Sequence, residues 1–415
     1  MKRILSAVAL AALAACGSDL SVDEGAPTST TSSPVARETA PTVSSENAAS
    51  LRDGNTAFAL DMLRTLEAQS PGRNVFFSPH SITVALAMTW AGARGTTAEE
   101  MARTLHFTLP DAQTHDAMNA LDLAIASRGT VSAANALWDT PRIPFAQPFL
   151  DRLSASYGAD VHLVDFREGD SARVGINRWV STTTRDRIND LLPPGSVKPQ
   201  TALVLVNAIH FQDDWQSPFA PSATQPAPFH AAGGDVTASM MNGLASAPYV
   251  AGDGYQAVAL PYRSGLSFLA ILPDDLAAFE AALDARKVAD IAASLAPKLV
   301  AVRLPKVKIE GETVALKSAL QALGMNAAFG AADFTGMAPP PTELAIDDAY
   351  HQAFVAVDEK GTEAAAATAV VVNERSSIGP EAEVSIALDR PFLFAIRDDA
   401  TGAILFLGHL ATPAQ

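Results

Sequence analysis

The sequence predicts an α+β fold built as one large domain, and three observations point to it. Helical periodicity dominates the first half of the chain and short β-branched or aromatic runs dominate the second, which is not the strict alternation of a parallel α/β sheet. No second Pro/Ser/Thr-rich linker follows about residue 46, so nothing divides the globular part. A chain of 415 residues with 48% hydrophobic content also carries enough apolar surface for one extensive core.

The chain opens with Met1-Lys2-Arg3 and an apolar run from Ile4 to Ala15. This is the pattern of a signal peptide, and it is too short to span a bilayer as a stable helix. Leu13-Ala14-Ala15-Cys16 resembles a bacterial lipobox, which implies removal of residues 1–15 and lipidation of Cys16. Cys16 is the only cysteine, so no intrachain disulfide can form. The expected location is therefore export with lipid anchoring to the bacterial cell envelope, periplasmic or surface-exposed, with membrane contact through the N-terminal lipid alone.

Residues 16–45 are rich in Ser, Thr, Pro, Ala and acids, a composition expected to form a disordered tether. As a flexible coil it would span roughly 30 Å. The globular body is predicted over residues 46–415. Phe58, Met62, Leu63 and Leu66 fall on one helical face, and Ser81 to Trp90 reads as an almost wholly apolar helix reached through Ser78-Pro79. Leu203 to Ile209 reads as a strand buried on both faces. Further strands are expected at Leu266 to Leu272, Val300 to Ile309, Ala353 to Val357, Phe392 to Ile396 and Ile404 to Leu407, with helical segments near 277–295 and 314–323.

Charge and motif content narrow the function. With 29 Lys and Arg against 45 Asp and Glu, the formal net charge is −16, which argues against nucleic acid as a partner. There is no Gly-x-Ser-x-Gly elbow, phosphate-binding glycine loop or His-Glu-x-x-His pair, and the eight histidines show no metal-ligand spacing. The expectation is a protein that is not an enzyme and uses no metal or cofactor. Two features stand apart. Asn207 lies in the middle of an apolar strand, and Ser78 and Ser81 flank the start of an apolar helix, so each needs a buried partner. In the segment 358–376, Ala364 to Ala367 favour helix while Val370 to Val372 favour strand, a conflict suited to a segment with two states.

Glu359-Lys360-Gly361-Thr362-Glu363-Ala364-Ala365-Ala366-Ala367-Thr368 closely resembles the reactive-centre-loop hinge of inhibitory serpins, a family of suicide protease inhibitors. Asn74 to Ile82, Gly92 to Thr96, Asn177 to Val180, Thr201 to Ile209, Trp215 with Pro218-Phe219, Leu304-Pro305-Lys306, Arg390 to Phe394 and Leu405 to Gly408 resemble further family signatures, in family order. The resemblance runs from about residue 50 to the end. It implies the serpin fold: a single large domain with a main mixed β-sheet, additional smaller sheets, about eight or nine helices and an exposed reactive-centre loop near 359–385.

Carried onto this chain, the resemblance assigns Ser78, Ser81, Asn207 and His351 to the shutter, a polar cluster under the middle of the main sheet. Trp215, Lys306 and Glu359 match the breach, where the loop first enters the sheet. The implied action is cleavage of the loop by a protease, formation of a covalent acyl-enzyme, and insertion of the freed loop as a new strand. In such a strand Thr362, Ala364, Ala366 and Thr368 would share the core-facing side, and all four are small and uncharged; Glu363 would face the other way. The family commonly cuts seventeen residues from the hinge glutamate, which from Glu359 gives Arg375 followed by Ser376. An arginine there suits a trypsin-like pocket. Asp213-Asp214 stand where the family usually has Lys-Gly, and Val307 where Phe is common, positions read as remote from the mechanism.

The implied partner is thus a trypsin-like serine protease, captured by a monomer. Two other readings of the same fold are a non-inhibitory binding or chaperone protein and a cross-class inhibitor of a cysteine protease. Heparin activation is not expected, because the stretch 111–128 holds Asp111, Asp116 and Asp122 and only one basic residue, Arg128.

Overall fold

The computed structural model describes residues 26, 28–310, 313–362 and 381–413. Two nine-stranded sheets dominate it, with nine α-helices among the described residues. The main sheet contains β1 (Ser29–Thr31), β2 (Val131–Asp139), β3 (Val161–Leu163), β4 (Leu203–Phe211), β5 (Asp213–Asp214), β6 (Val307–Glu310), β7 (Val314–Ala315), β8 (Ile346–Val357) and β9 (Gly361–Thr362). Hydrogen-bonded neighbours run β1-β3-β2-β4-β8-β9-β5, and β6 and β7 pair with the other edge of β8. The second sheet runs from Val384–Ala387 through Ala296–Pro305, Gly234–Gly252, Tyr255–Pro261, Leu266–Pro273, Phe392–Asp398 and Ile404–Leu410 to Val75–Phe77, with Gln225–Ala231 paired beside Gly234–Gly252.

The helices that sequence periodicity indicates are present, with recognisable caps. α1 (Ser45–Gln69) begins where the Ser44 hydroxyl accepts from the Asn47 N–H at 3.1 Å, and it buries Phe58, Met62, Leu63 and Leu66. α2 (Pro79–Trp90) has Ser78 as its cap and Pro79 in its first turn, and all its residues are buried. It packs against β2 and β4 of the main sheet and against Ile404–Leu410 of the second, so it lies between the sheets. A second apolar layer of Ile176, Val180, Leu191 and Leu192 covers Val204, Val206 and Ala208 on the opposite face of the main sheet. Every residue of β4 is consequently buried.

Two expectations are corrected. Val300 to Ile309 is not one strand: it breaks at Lys306, its first part lying in the second sheet and its last part, β6, in the main sheet. The expected tether, residues 16–45, is also not disordered throughout. From Thr28 onward it forms a strap laid along the body, with β1 as an antiparallel edge strand on β3. Ala26 N–H donates to the Ser171 carbonyl at 2.7 Å, Arg37 pairs with Asp122 at 2.6 Å and with Asn119, and Asn119 donates to the Glu38 carbonyl. The strap is held by backbone hydrogen bonds, by polar side-chain contacts such as Ser33 with Asp151, and by one ion pair, so its polar composition is no obstacle to order. The expected signal segment 1–15, Cys16, and the loop residues Glu363 to Thr368, Arg375 and Ser376 lie outside the described residues.

Candidate functional site: a polar lock and the hinge above it

The seam between β4 and β8 is the centre of the main sheet. The two strands run parallel, with Asn207 opposite His351, while β2 runs antiparallel to β4 with Asn135 opposite Asn207. Three polar residues therefore stand in register across three adjacent strands. Asn207 Nδ2 donates to Ser81 Oγ and to Asn135 Oδ1, both at 2.6 Å, and Ser81 Oγ donates to Asn135 Oδ1 at 2.7 Å. Ser78 Oγ donates to the Leu405 carbonyl at 2.6 Å and caps α2 through the Ser81 N–H. His351 accepts the Ser78 N–H at Nε2, 3.1 Å, which leaves Nδ1 to carry the proton and donate to Asn207 Oδ1. Burial depresses the His351 pKa to about 3, so the ring is neutral.

Ser78, Ser81, Asn207 and His351 thus form one connected network that joins the seam to the cap of α2 and to the second sheet. Asn135 belongs to it and was not singled out from the sequence. Its signal was a lone amide between Ala134 and Ala136 in the apolar stretch Ala133 to Trp138, the same kind of signal that marks Asn207.

At the upper end of the seam, β4 passes through Gln212 into β5, and β8 ends at Val357. Asp358 turns the chain back: its carboxylate accepts the Lys360 N–H at 2.8 Å, and its N–H donates to the Gly361 carbonyl at 2.9 Å. β9 then enters between the two strands, Thr362 opposite Val357 on one side and Gly361–Thr362 opposite Asp214 and Asp213 on the other. Gly361 and Thr362 of the hinge segment already occupy the mouth of the seam. Thr362 is wholly buried and bonds the Tyr262 hydroxyl. Gly361 is required by close approach, since a Cβ there would lie 2.1 Å from the Asp213 carbonyl oxygen. Asp213 and Asp214, read from the sequence as remote from the mechanism, are the hinge's own β-partners. They contribute through their backbone, which the family difference in side chain leaves intact.

Trp215, Lys306 and Glu359 meet beside this mouth. The Trp215 indole stacks on Tyr262 with centroids 4.4 Å apart and donates Nε1–H to the Asp358 carbonyl at 2.9 Å. Its backbone N–H donates to the Lys360 carbonyl, and the Phe219 N–H to the Glu359 carbonyl. The Glu359 carboxylate takes Lys306 Nζ and Thr224 Oγ1, each at 2.7 Å. Burial pushes the Glu359 pKa up, but these two hydrogen bonds, a backbone hydrogen bond and the Lys306 charge together hold the group below its ordinary value. The break at Lys306 between the two sheets is what brings its ammonium to the hinge.

This geometry defines a class of protein in which a loop hinge is seated at one end of a sheet seam that a polar lock keeps closed. A family model described as "Serpin (serine protease inhibitor)" matches residues 53–413, and the chain belongs to the serpin family. It is 36% identical over 386 residues to the human leukocyte elastase inhibitor, covering 88% of this chain and 99% of that one. It is also 36% identical over 366 residues to an uncharacterized serpin-like protein of Thermococcus kodakarensis, covering 86% and 84%. Among solved structures, the thermophilic serpin tengpin in its native state superposes with a TM-score of 0.80 at 25% identity, covering 92% of this chain and 97% of that one. Thyroxine-binding globulin complexed with thyroxine gives 0.77 at 29%, covering 88% and 100%.

Proposed function

We propose that this chain is an inhibitory serpin that traps trypsin-like serine proteases, with Arg375–Ser376 as the scissile bond. The observation that carries the reading is the position of Thr362, fully buried in β9 at the mouth of the β4–β8 seam. The sequence that follows it is small and uncharged at every alternate position through Thr368. The fold alone does not decide for inhibition, since thyroxine-binding globulin shares it. The hinge composition supports inhibition, because a bulky or charged residue on that side would resist burial.

In the proposed reaction the protease serine attacks the Arg375 carbonyl, the amide bond to Ser376 breaks, and the protease histidine passes a proton to the leaving amine. The loop is then free at its new end while still esterified to the protease. Insertion from Thr362 onward separates β4 from β8 and exchanges their direct pairing, Leu203 to His210 against Ile346 to Phe354, for two new ladders. The bond assignment rests on the residue count from Glu359. We further place the mature protein on a bacterial envelope through lipidated Cys16. The strap shortens the leash: ten residues from Cys16 to Ala26 reach at most about 35 Å.

The test is to mix the purified chain with trypsin and analyse the products on a denaturing gel and by mass spectrometry. A covalent band at the summed mass, with a released fragment beginning at Ser376, is the expected result. Thr362→Arg should be cleaved at a similar rate but give mostly cleaved chain and little complex. Cleavage of the wild-type chain without a covalent band would move it to the non-inhibitory serpins. A covalent band with a cysteine protease and none with trypsin would establish the cross-class reading.

A further inference from the structure

Away from the hinge, Glu67 near the end of α1, Glu280 in the helix Leu276–Ala282 and His409 in the strand Ile404–Leu410 converge beneath the second sheet. One ligand atom from each lies within 4.8 Å of the other two. His409 Nδ1 is 3.0 Å from Glu280 Oε1 and 3.9 Å from Glu67 Oε1. Glu280 and His409 are each only 5% exposed.

The approach of His409 to Glu280 lacks hydrogen-bond geometry. Nδ1 of the ring and both oxygens of the Glu280 carboxylate are buried with no hydrogen-bond partner. A buried carboxylate with two orphaned oxygens is costly unless something else satisfies it. The neighbouring cation does not. Arg64 directs its donors to the carbonyls of Glu280 and Leu283 and to the Asp61 carboxylate.

We propose that Glu67, Glu280 and His409 form a binding site for a divalent transition-metal ion of the zinc class. One imidazole nitrogen and two carboxylates are a donor set that suits zinc rather than calcium or magnesium. In a tetrahedral site with bonds of about 2.0–2.1 Å, donor atoms stand about 3.3–3.4 Å apart. The separations of 3.0 and 3.9 Å bracket that value, so small rotamer changes would complete the geometry. The Glu67 side chain is 29% exposed, which leaves a path for the ion and room for a water as fourth ligand. Bound there, the ion ties α1 and the helix Leu276–Ala282 to the C-terminal strand, whose Leu405 carbonyl receives Ser78 of the lock. It would act as a staple on the body of the fold, with no part in the protease reaction.

The experiment is zinc titration of the chelator-treated full chain in a Cys16→Ala background, so that the single thiol cannot bind metal. The readouts are calorimetric stoichiometry, the thermal midpoint, and the visible d–d bands of Co2+ used as a probe. Expected are one zinc per chain, a rise in midpoint that magnesium does not reproduce, and tetrahedral Co2+ bands. Glu280→Gln should weaken binding by about tenfold or more. Should that variant fail to fold, Glu67→Gln, on the half-exposed side, gives the same comparison. No stoichiometric zinc, or binding that both variants retain in full, would overturn the proposal and leave only a buried contact between His409 and Glu280.

Discussion

His351 is satisfied only while it is neutral. Its Nδ1–H donates to Asn207 and its Nε2 accepts from Ser78, so a second proton on Nε2 would face a backbone N–H that needs an acceptor. Burial sets its pKa at about 3, against about 6.5 for an exposed histidine. Between those values the unfolded chain binds more protons than the folded one, so the ring's contribution to stability is complete above pH 6.5 and is lost on acidification. His210, depressed by burial to about 4, has the same sign. Asp139, which burial raises to about 8, has the opposite one: its contribution shrinks as pH rises toward 8. The His351 term is therefore read by difference. Lowering the pH from about 7 to about 5 should reduce the melting temperature of the wild-type chain more than that of His351→Gln. Equal pH slopes for the two proteins would show that the lock does not depend on a neutral ring.

At the scale of elements, the strap is the largest departure from what the sequence suggests. It contributes an edge strand, β1, and the partly buried Arg37–Asp122 pair, which Asn119 reinforces. Asp122 in turn lies 3.7 Å from His80 in α2, so the strap touches the element that underlies the seam. A chain beginning at residue 46 should melt a few degrees lower, at about 1.3 °C for each kcal/mol lost in a body of this size. Differential scanning calorimetry of the two lengths checks this, and coincident transitions would mean that the strap adds nothing. The contrast between elements explains what could be read in advance. α1, α2 and β4 were legible because burial wrote a period of apolar residues into them. The strap was not, because edge pairing through backbone groups leaves no apolar signature. The two-residue strands β5 and β9 are too short to carry a pattern, and the break at Lys306 falls inside a continuous β-like run. Buried amides announced the lock one residue at a time, but only the register of β2, β4 and β8 shows that Asn135, Asn207 and His351 form a row.

For the molecule as a whole, the two ends of the seam are in different states. Its mouth already holds two loop residues as a strand, while its middle is closed by direct parallel pairing and by the lock. On the proposed mechanism, a sheet that has accepted Gly361 and Thr362 accepts their successors once the chain beyond them is released. What opposes this in the intact protein is the tie of the loop's far end to Val384–Ala387, which pairs in parallel with Ala296–Pro305 of the second sheet. Cutting the loop removes that tether without touching the folded body. The direction of change is then fixed by the new strand: each buried alternate residue adds apolar contact, and each backbone group on either edge gains a partner. Several kcal/mol gained in this way would raise the melting temperature by about 5 °C, at ~1.3 °C per kcal/mol for a body of this size. Calorimetry before and after limited trypsin cleavage checks it, with the fragments kept together under native conditions. An unchanged transition in the cleaved chain would mean that no strand had entered the seam, and the buried Thr362 would then be a static cap on the sheet.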